Sequence, residues 1–362
     1  MARKNKTHMA AWKRKGLAAA LLLTTAPAMA AELTLPPVSI GAGVRTSFTD
    51  SSYSGSSVKD SDDFTVDSVR LYLSGAATDT VKFTFNTEYN SSSDSVIVMD
   101  AIARFEYSPQ FNIWAGRFLP PSDRANLYGP YYANHWGVYR ENVLDGYANT
   151  AVGRDNGVAY WGDFGGLKVS AGLFDVPGTS STASPNTNAD ANKVIAAGRL
   201  QYDFWDKESG YWLNSTYYGA KDLLAIGVAG QTAGGDTSFT VDFLLEKNLG
   251  GAGVFTIESE YAKYEGLTSV FAEKTTGAYG LVSYLFPQPV GIGKIQLLGK
   301  YAESVTDVSG SDPKLKTFEG DIGYIVKEFK VRGYLFYIDQ SWDNSPAAVD
   351  ATYAGVGLQV QI

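Results

Sequence analysis

The chain of 362 residues has no cysteine, which excludes disulfide staples and any cysteine-held haem or iron–sulfur centre. After Leu23 it has no apolar run long enough for a helix to cross a bilayer. Positive charge is also short, with 30 Lys and Arg against 38 Asp and Glu. Six of the basic residues (Arg3, Lys4, Lys6, Lys13, Arg14 and Lys15) fall within the first thirty positions, ahead of the apolar stretch LAAALLLTTAPAMA. A basic start, a short apolar core and the small-residue ending Ala28-Met29-Ala30 form an export-signal pattern, with cleavage expected after Ala30. Residues 31–362 then hold 24 basic against 38 acidic residues, a net charge of −14. Such a chain has no basic surface with which to displace nucleic-acid counterions, so no nucleic-acid partner is expected.

What the chain does have is glycine and aromatics: 38 Gly, 23 Tyr and 18 Phe. They sit in segments that alternate. In VKFTFNTEY (81–89), Val81, Phe83, Phe85, Thr87 and Tyr89 oppose Lys82, Thr84, Asn86 and Glu88. FTVDFLLEK (239–247), KIQLLGKY (294–301) and GVGLQVQI (355–362) repeat the pattern. A period of two puts all the charge on one face of a strand. A soluble sandwich alternates as well, but its strands average five or six residues, whereas segments of about ten suit a tilted bilayer crossing. Aromatics at segment ends, among them Tyr89, Tyr107, Phe111, Tyr261 and Tyr337, suit interfacial girdles. The expected fold class is therefore all-β, a transmembrane antiparallel β-barrel in a bacterial outer membrane.

Seventeen candidate spans begin near residues 37, 64, 81, 96, 111, 156, 167, 193, 211, 222, 238, 254, 276, 292, 316, 328 and 351. Short connections such as SPQ (108–110) and FGG (164–166) alternate with long Ser/Asp/Asn-rich ones such as 50–63 and 177–192. That asymmetry suits periplasmic turns and external loops. The alternation fails only around 205–236, and an even strand number requires one span to go. YWLNSTYYG (211–219) is the one to demote, to a long periplasmic turn, leaving sixteen strands. An eighteen-strand count stays open. Sixteen strands enclose an aqueous channel rather than a filled interior, so something must narrow it.

Residues 119–155 break the pattern and are longer than an ordinary connection. The expectation is a third external loop folded inward as a constriction. Arg117, Arg124, Arg140 and Arg154 offer planar donor forks for carboxylate or phosphate. Tyr128, Tyr131 and Tyr132 offer apolar area to hold a shape against the wall, and His135 is a candidate pH-sensitive group. Among inward-facing charges the alternation selects Arg45, Arg70, Lys82, Arg104, Arg199, Lys294, Lys300, Lys330 and Arg332 against Glu88, Asp100, Glu106, Asp242, Glu246, Glu258, Glu260, Glu319 and Asp321. Lumen arginines also pair with carboxylates simply to brace the wall.

VRLYLSG (69–75), WAGRFLPP (114–121), VGRDNGVAYWGDFGGLKVSAGLFD (152–175) and IESEYAKY (257–264) resemble the phosphate-selective porin O and porin P group. The resemblance covers most of the chain after residue 30. It implies a sixteen-stranded, usually trimeric channel whose third external loop enters the lumen, with arginines contributing to an anion path. This chain departs from the group in its mixed inward charges, which suit a shaped polar path without a strong net sign. Phosphate or carboxylates are one expected cargo; a general or cation-favouring porin is the other.

An outer-membrane hydrolase would have to be built from His135 with Ser122 and Asp123, and no nucleophile elbow, HExxH or phosphate-loop motif supports it. The chain is therefore expected not to be an enzyme, and no cofactor or metal is expected. An occluded structural barrel and a sheath for a partner's electron carrier are further alternatives. Expected partners are outer-membrane lipid and lipopolysaccharide, small hydrophilic solutes or ions, and two further copies in a homotrimer.

Overall fold

The computed structural model describes residues 37–55, 58–90, 94–138, 140–141, 154–175, 194–233, 236–265, 274–307, 310–345 and 348–362. The expected leader, residues 1–30, lies outside them, as do residues 142–153 of the expected constriction. Sixteen strands run in chain order: β1 (Val38–Ser54), β2 (Ser61–Ala76), β3 (Val81–Asn90), β4 (Ser95–Ser108), β5 (Phe111–Phe118), β6 (Asp155–Phe164), β7 (Leu167–Asp175), β8 (Val194–Asp203), β9 (Leu223–Ala233), β10 (Asp236–Asn248), β11 (Val254–Glu265), β12 (Lys274–Val290), β13 (Gly293–Asp307), β14 (Lys314–Lys327), β15 (Val331–Asp343) and β16 (Asp350–Gln361). Each pairs antiparallel with its sequence neighbours, and β1 pairs with β16, closing the barrel. Closure leaves no edge strand with unpaired backbone groups, the condition for a sheet to exist in hydrocarbon.

The alternation read from the sequence is the alternation of the wall. Along β13, Gln296, Leu298, Lys300 and Ala302 are buried while Leu297, Gly299 and Tyr301 are exposed. Along β10, Thr240, Asp242, Leu244 and Glu246 are buried and Phe239 faces out. The charged side chains of these two strand centres, Lys300, Asp242 and Glu246, thus point into the ring together with Leu244 and Leu298, while the outward positions carry no charge. Exposed aromatics gather at the rim where β1 begins, with Tyr107, Phe111, Phe164, Tyr202 and Phe204, and a second set, Phe239, Tyr261, Tyr301, Phe318 and Tyr337, lies farther along the strands.

Residues 211–219 form no strand, so the eighteen-strand alternative does not hold. They belong to the 204–222 connection between β8 and β9, at the rim that otherwise carries short turns such as 109–110 and 165–166. The longest connection, 119–154 between β5 and β6, leaves from the opposite rim.

An arginine on the outer face should meet only lipid. Val241, mid-strand in β10 between Val228 and Tyr261, provides the test. Val241→Arg is expected to destabilise the barrel by about 2–4 kcal/mol, read from denaturant unfolding in lipid vesicles; no change would show that this face is not in the bilayer.

Candidate functional site

The chain leaves β5 through Leu119-Pro120-Pro121 and forms α1 (Arg124–Tyr132). Asp123 caps it, its carboxylate accepting from Asn126 N at 2.8 Å. The helix is broken at Gly129, whose φ of 60° lies where glycine carries no penalty. Side chains of widely separated strands hold this segment. Arg199 of β8 donates to Ser122 O at 3.1 Å, and Asp242 of β10 accepts from Arg124 N at 3.2 Å. Glu258 of β11 accepts from the Tyr128 hydroxyl at 2.9 Å. Asn134 donates to Ser283 of β12 at 2.8 Å, and Trp136 N donates to Asp321 of β14 at 3.0 Å. Arg332 of β15 donates to Tyr131 O at 3.0 Å, and Arg45 of β1 donates to Pro130 O at 3.0 Å and Trp136 O at 2.9 Å. One short segment meets all these inward faces only by lying within the ring.

Two glycines make room for it. A Cβ on Gly43 of β1 would lie 2.5 Å from the Tyr131 ring, and one on Gly357 of β16 would lie 2.5 Å from the Trp136 indole. The wall is therefore smooth where the two largest side chains of the segment seat.

The 204–222 connection also folds inward, from the opposite rim. Glu208 accepts from both terminal nitrogens of Arg124, at 2.9 and 2.5 Å, and the pair is inaccessible to water. Arg124 donates also to Asn214 O at 2.8 Å, the Tyr211 hydroxyl donates to Leu119 O at 2.8 Å, and Ser215 N donates to Tyr132 O at 3.1 Å. Tyr211 and Leu213 pack with Trp114, Phe118, Leu127 and Trp161 in one apolar cluster, with Trp212 against its edge. Sequence reasoning treated this stretch as a turn. Its signal was aromatic density, with Tyr211, Trp212, Tyr217 and Tyr218 within eight positions, which a water-exposed turn does not need.

The two segments seal one side of the interior. Asp242, Glu246, Glu258, Glu260, Lys300, Glu319 and Arg332, on β10, β11 and β13–β15, are all buried. Water reaches the β2–β4 wall instead. There Lys82 pairs with Glu106 at 2.9 Å, Arg104 lies 3.5 Å from Glu106, Arg70 bonds Glu88, and Arg154 pairs with Asp100 at 2.7 Å. The side chains of Lys82 and Arg104 are 33% and 21% exposed.

The residues expected at the constriction are thus divided. Tyr128, Tyr131, Arg124 and His135 are buried scaffold, and Tyr132 is partly exposed against Phe329. Arg140 lies over the Tyr353 ring at 4.0 Å, and Arg154 lies 5.9 Å from the Trp212 ring centre. Arg117 is a correction. It pairs across β4–β5–β6 with outward Ala101 and with Asn156, and donates to Val98 O at 3.2 Å, so it points away from the interior. Of the inward charges, Lys82 and Arg104 line the accessible wall, while Arg70 is buried against the Tyr131 ring at 5.0 Å. Arg199 is locked to Asp242 at 2.9 Å, and Glu258 is bonded by Tyr128 and Tyr279. Glu260 is buried with neither carboxylate oxygen meeting a donor among the described residues.

Burial pushes the Glu208 carboxyl up, but the charge and hydrogen bonds of Arg124 outweigh it, with help from Tyr217 and Lys168, and bring it to about 2. Burial, reinforced by Lys300, Arg45 and Arg332, holds His135 well below its usual 6.5. Its Nε2 lies 3.1 Å from Lys300 Nζ, while Ser122 and Asp123 bond to each other at 2.6 Å. Among the described residues no group of three or more His, Cys, Asp or Glu is arranged to hold a metal ion.

No family model and no curated protein sequence matches the chain. Solved structures do. OprB of Pseudomonas putida is 10% identical, with a TM-score of 0.63 over 90% of this chain and 94% of that one. OmpF of Salmonella typhi, in complex with daunomycin, is 13% identical, with a TM-score of 0.60 over 90% and 98%. An anion-selective porin from Comamonas acidovorans is 13% identical, with a TM-score of 0.54 over 91% and 100%. At these identities the likeness shows the fold, that of outer-membrane porins, and does not single out the phosphate-selective group.

Two outcomes follow from the buried charges. Glu208→Ala leaves Arg124 buried beside Asp242 alone and is expected to cost about 3–5 kcal/mol in denaturant unfolding; a loss below about 1 kcal/mol would show the pair to be hydrated. His135 remains neutral in the folded chain while the unfolded chain takes up a proton there below about pH 6.5. Stability present above that pH is therefore lost on acidification. Wild type should weaken relative to His135→Gln between pH 7 and 5, and parallel stability profiles would contradict this.

Proposed function

We propose that this chain is an outer-membrane diffusion channel for small hydrophilic solutes, with a weak preference for anions such as phosphate or carboxylates. The observation that carries the reading is the water-reachable wall of β2–β4. With Arg154 it presents three cations to water, Lys82, Arg104 and Arg154, beside three carboxylates, Asp67, Glu88 and Glu106, while Arg70 and Asp100 are buried. Each cation has a carboxylate neighbour, so the net field is small and selectivity is modest. The outward apolar faces and their aromatic belts suit a bilayer, and the sequence resemblance implies a homotrimer.

Arg124 and Arg199 are committed to Glu208 and Asp242; a passing anion would have to break a buried ion pair to reach either. The anion preference therefore rests on Lys82, Arg104 and Arg154 rather than on the core of the inward loop. A hydrolytic role finds no support in His135, which is enclosed beside Lys300 rather than beside a nucleophile.

In a planar bilayer under a KCl gradient, the folded protein is expected to show stepwise conductance and a reversal potential favouring chloride. Lys82→Gln combined with Arg104→Gln should move that potential toward potassium. A potassium preference in wild type would overturn the anion reading and place control with acidic residues such as Asp60, Asp62 and Asp63. Absence of conductance from folded protein would overturn the channel itself.

A further inference from the structure

We propose that the 204–222 connection is a second constriction element, entering from the rim opposite the 119–154 loop, and that Trp212 is its solute-facing residue. The inference rests on the channel reading above. It arises from how firmly this connection is built into the interior.

Beyond the last residues of β8 and β9, the chain continues the hairpin briefly, with Phe204 N donating to Leu224 O at 2.8 Å and Asp206 N to Asp222 O at 3.0 Å. A two-residue turn could close the hairpin there. The chain instead spends fifteen further residues, 207–221, on a detour through the ring. That excursion has its own anchors. Lys168 of β7 donates to Glu208 O at 3.2 Å and Gly210 O at 2.6 Å. Glu246 of β10 accepts from Thr216, from Tyr217 N at 2.9 Å and from Gly219 N at 2.7 Å. Inward-facing wall residues are thus committed to positioning this turn.

The excursion delivers Trp212. Its neighbours Tyr211 and Leu213 are buried, but Trp212 is only partly so. The indole packs on Trp114 at 6.0 Å and on Tyr211 at 5.2 Å between ring centres. Arg154, on the water-reachable side, lies 5.9 Å from it, and Arg104 lies 5.7 Å from the Trp114 ring. An indole held by packing on its buried side sets the width of the path beside the β2–β4 charges. Trp212 thus borders the proposed path beside Arg154 and its partner Asp100, while the 119–138 segment occupies part of the remaining interior.

The experiment compares single-channel conductance of wild type with two variants. In one, residues 207–221 are replaced by Asn-Gly, joining Asp206 to Asp222. In the other, Trp212→Ala trims one side chain and leaves the turn anchored. Folding is checked by the heat-sensitive gel mobility of folded barrels. The hairpin replacement is expected to raise conductance about two-fold or more, and Trp212→Ala to raise it by a smaller factor, because conduction follows pore width. Unchanged conductance in a folded hairpin variant would overturn the proposal. If that variant does not fold, Trp212→Ala decides alone: a rise supports the role, and no rise overturns it. A silent but folded wild type would sink the channel reading separately. In that case, conductance gained in the hairpin variant would still support the turn as an obstruction, and continued silence would overturn it.

Discussion

A charge removed from water must find its counter-charge in the protein, and that constraint organises the interior of this barrel. Arg124 and Glu208 satisfy it for each other, and they belong to segments that enter the ring from opposite rims. Each segment completes the docking of the other, because without Glu208 the buried Arg124 keeps Asp242 alone, and without Arg124 the buried Glu208 loses its cation, at a cost of several kcal/mol. Other buried cations follow the same logic, whereas the Glu260 carboxylate is buried with no donor among the described residues. Arg199 is held by Asp242, and Lys300 by Glu141. Among the described residues Arg332 has no carboxylate partner; its guanidinium is turned instead on the carbonyls of Tyr131 and Ala133.

Those carbonyls belong to the end of α1, where a helix leaves acceptors without intrahelical partners. Cationic wall residues, Arg45 and Arg332, gather at that end. Carboxylates gather at the other, where Asp123 caps the helix and Asp242 takes the Arg124 amide. Because the helix is broken at Gly129, these are two separate docking sets, one at the capped start and one on the carbonyls beyond the break. The arrangement gives the mixed inward charges a meaning different from a field across open water. On the β10–β16 side they are docking groups for a folded segment, and only on the β2–β4 side do they face a path.

Much of this was legible in the sequence. A strict period of two located the strands, and the broken long-and-short alternation singled out 211–219 as no strand. The β5 segment FNIWAGRF also held the answer to Arg117, which shares the odd positions of Phe111 and Ile113 and so must share their outward face. Its guanidinium chemistry drew attention away from its parity. What the sequence could not disclose was partnership across long separations. Arg124 and Glu208 lie 84 positions apart, and nothing local to either marks the other. The seating of Tyr131 and Trp136 against Gly43 and Gly357 is equally non-local, since a glycine in a strand reads the same whether it faces a ring or a void.

A sixteen-strand ring is too wide to be filled by its own wall side chains, so its selectivity depends on what is placed inside and on which side. Had the filler been centred, solutes would meet opposed charges on two surfaces and a transverse field between them. Here the filler is packed against one side, and the charges that water reaches on the other have a close partner of opposite sign: Lys82 has Glu106, Glu88 has the buried Arg70, and Arg154 has the buried Asp100. The field of a close pair falls off faster than that of a lone charge, and salt screens it further. A solute in such a path feels the wall only within a few ångströms. Under the proposed channel function, width set by the inward segments governs passage more strongly than the sign of charge.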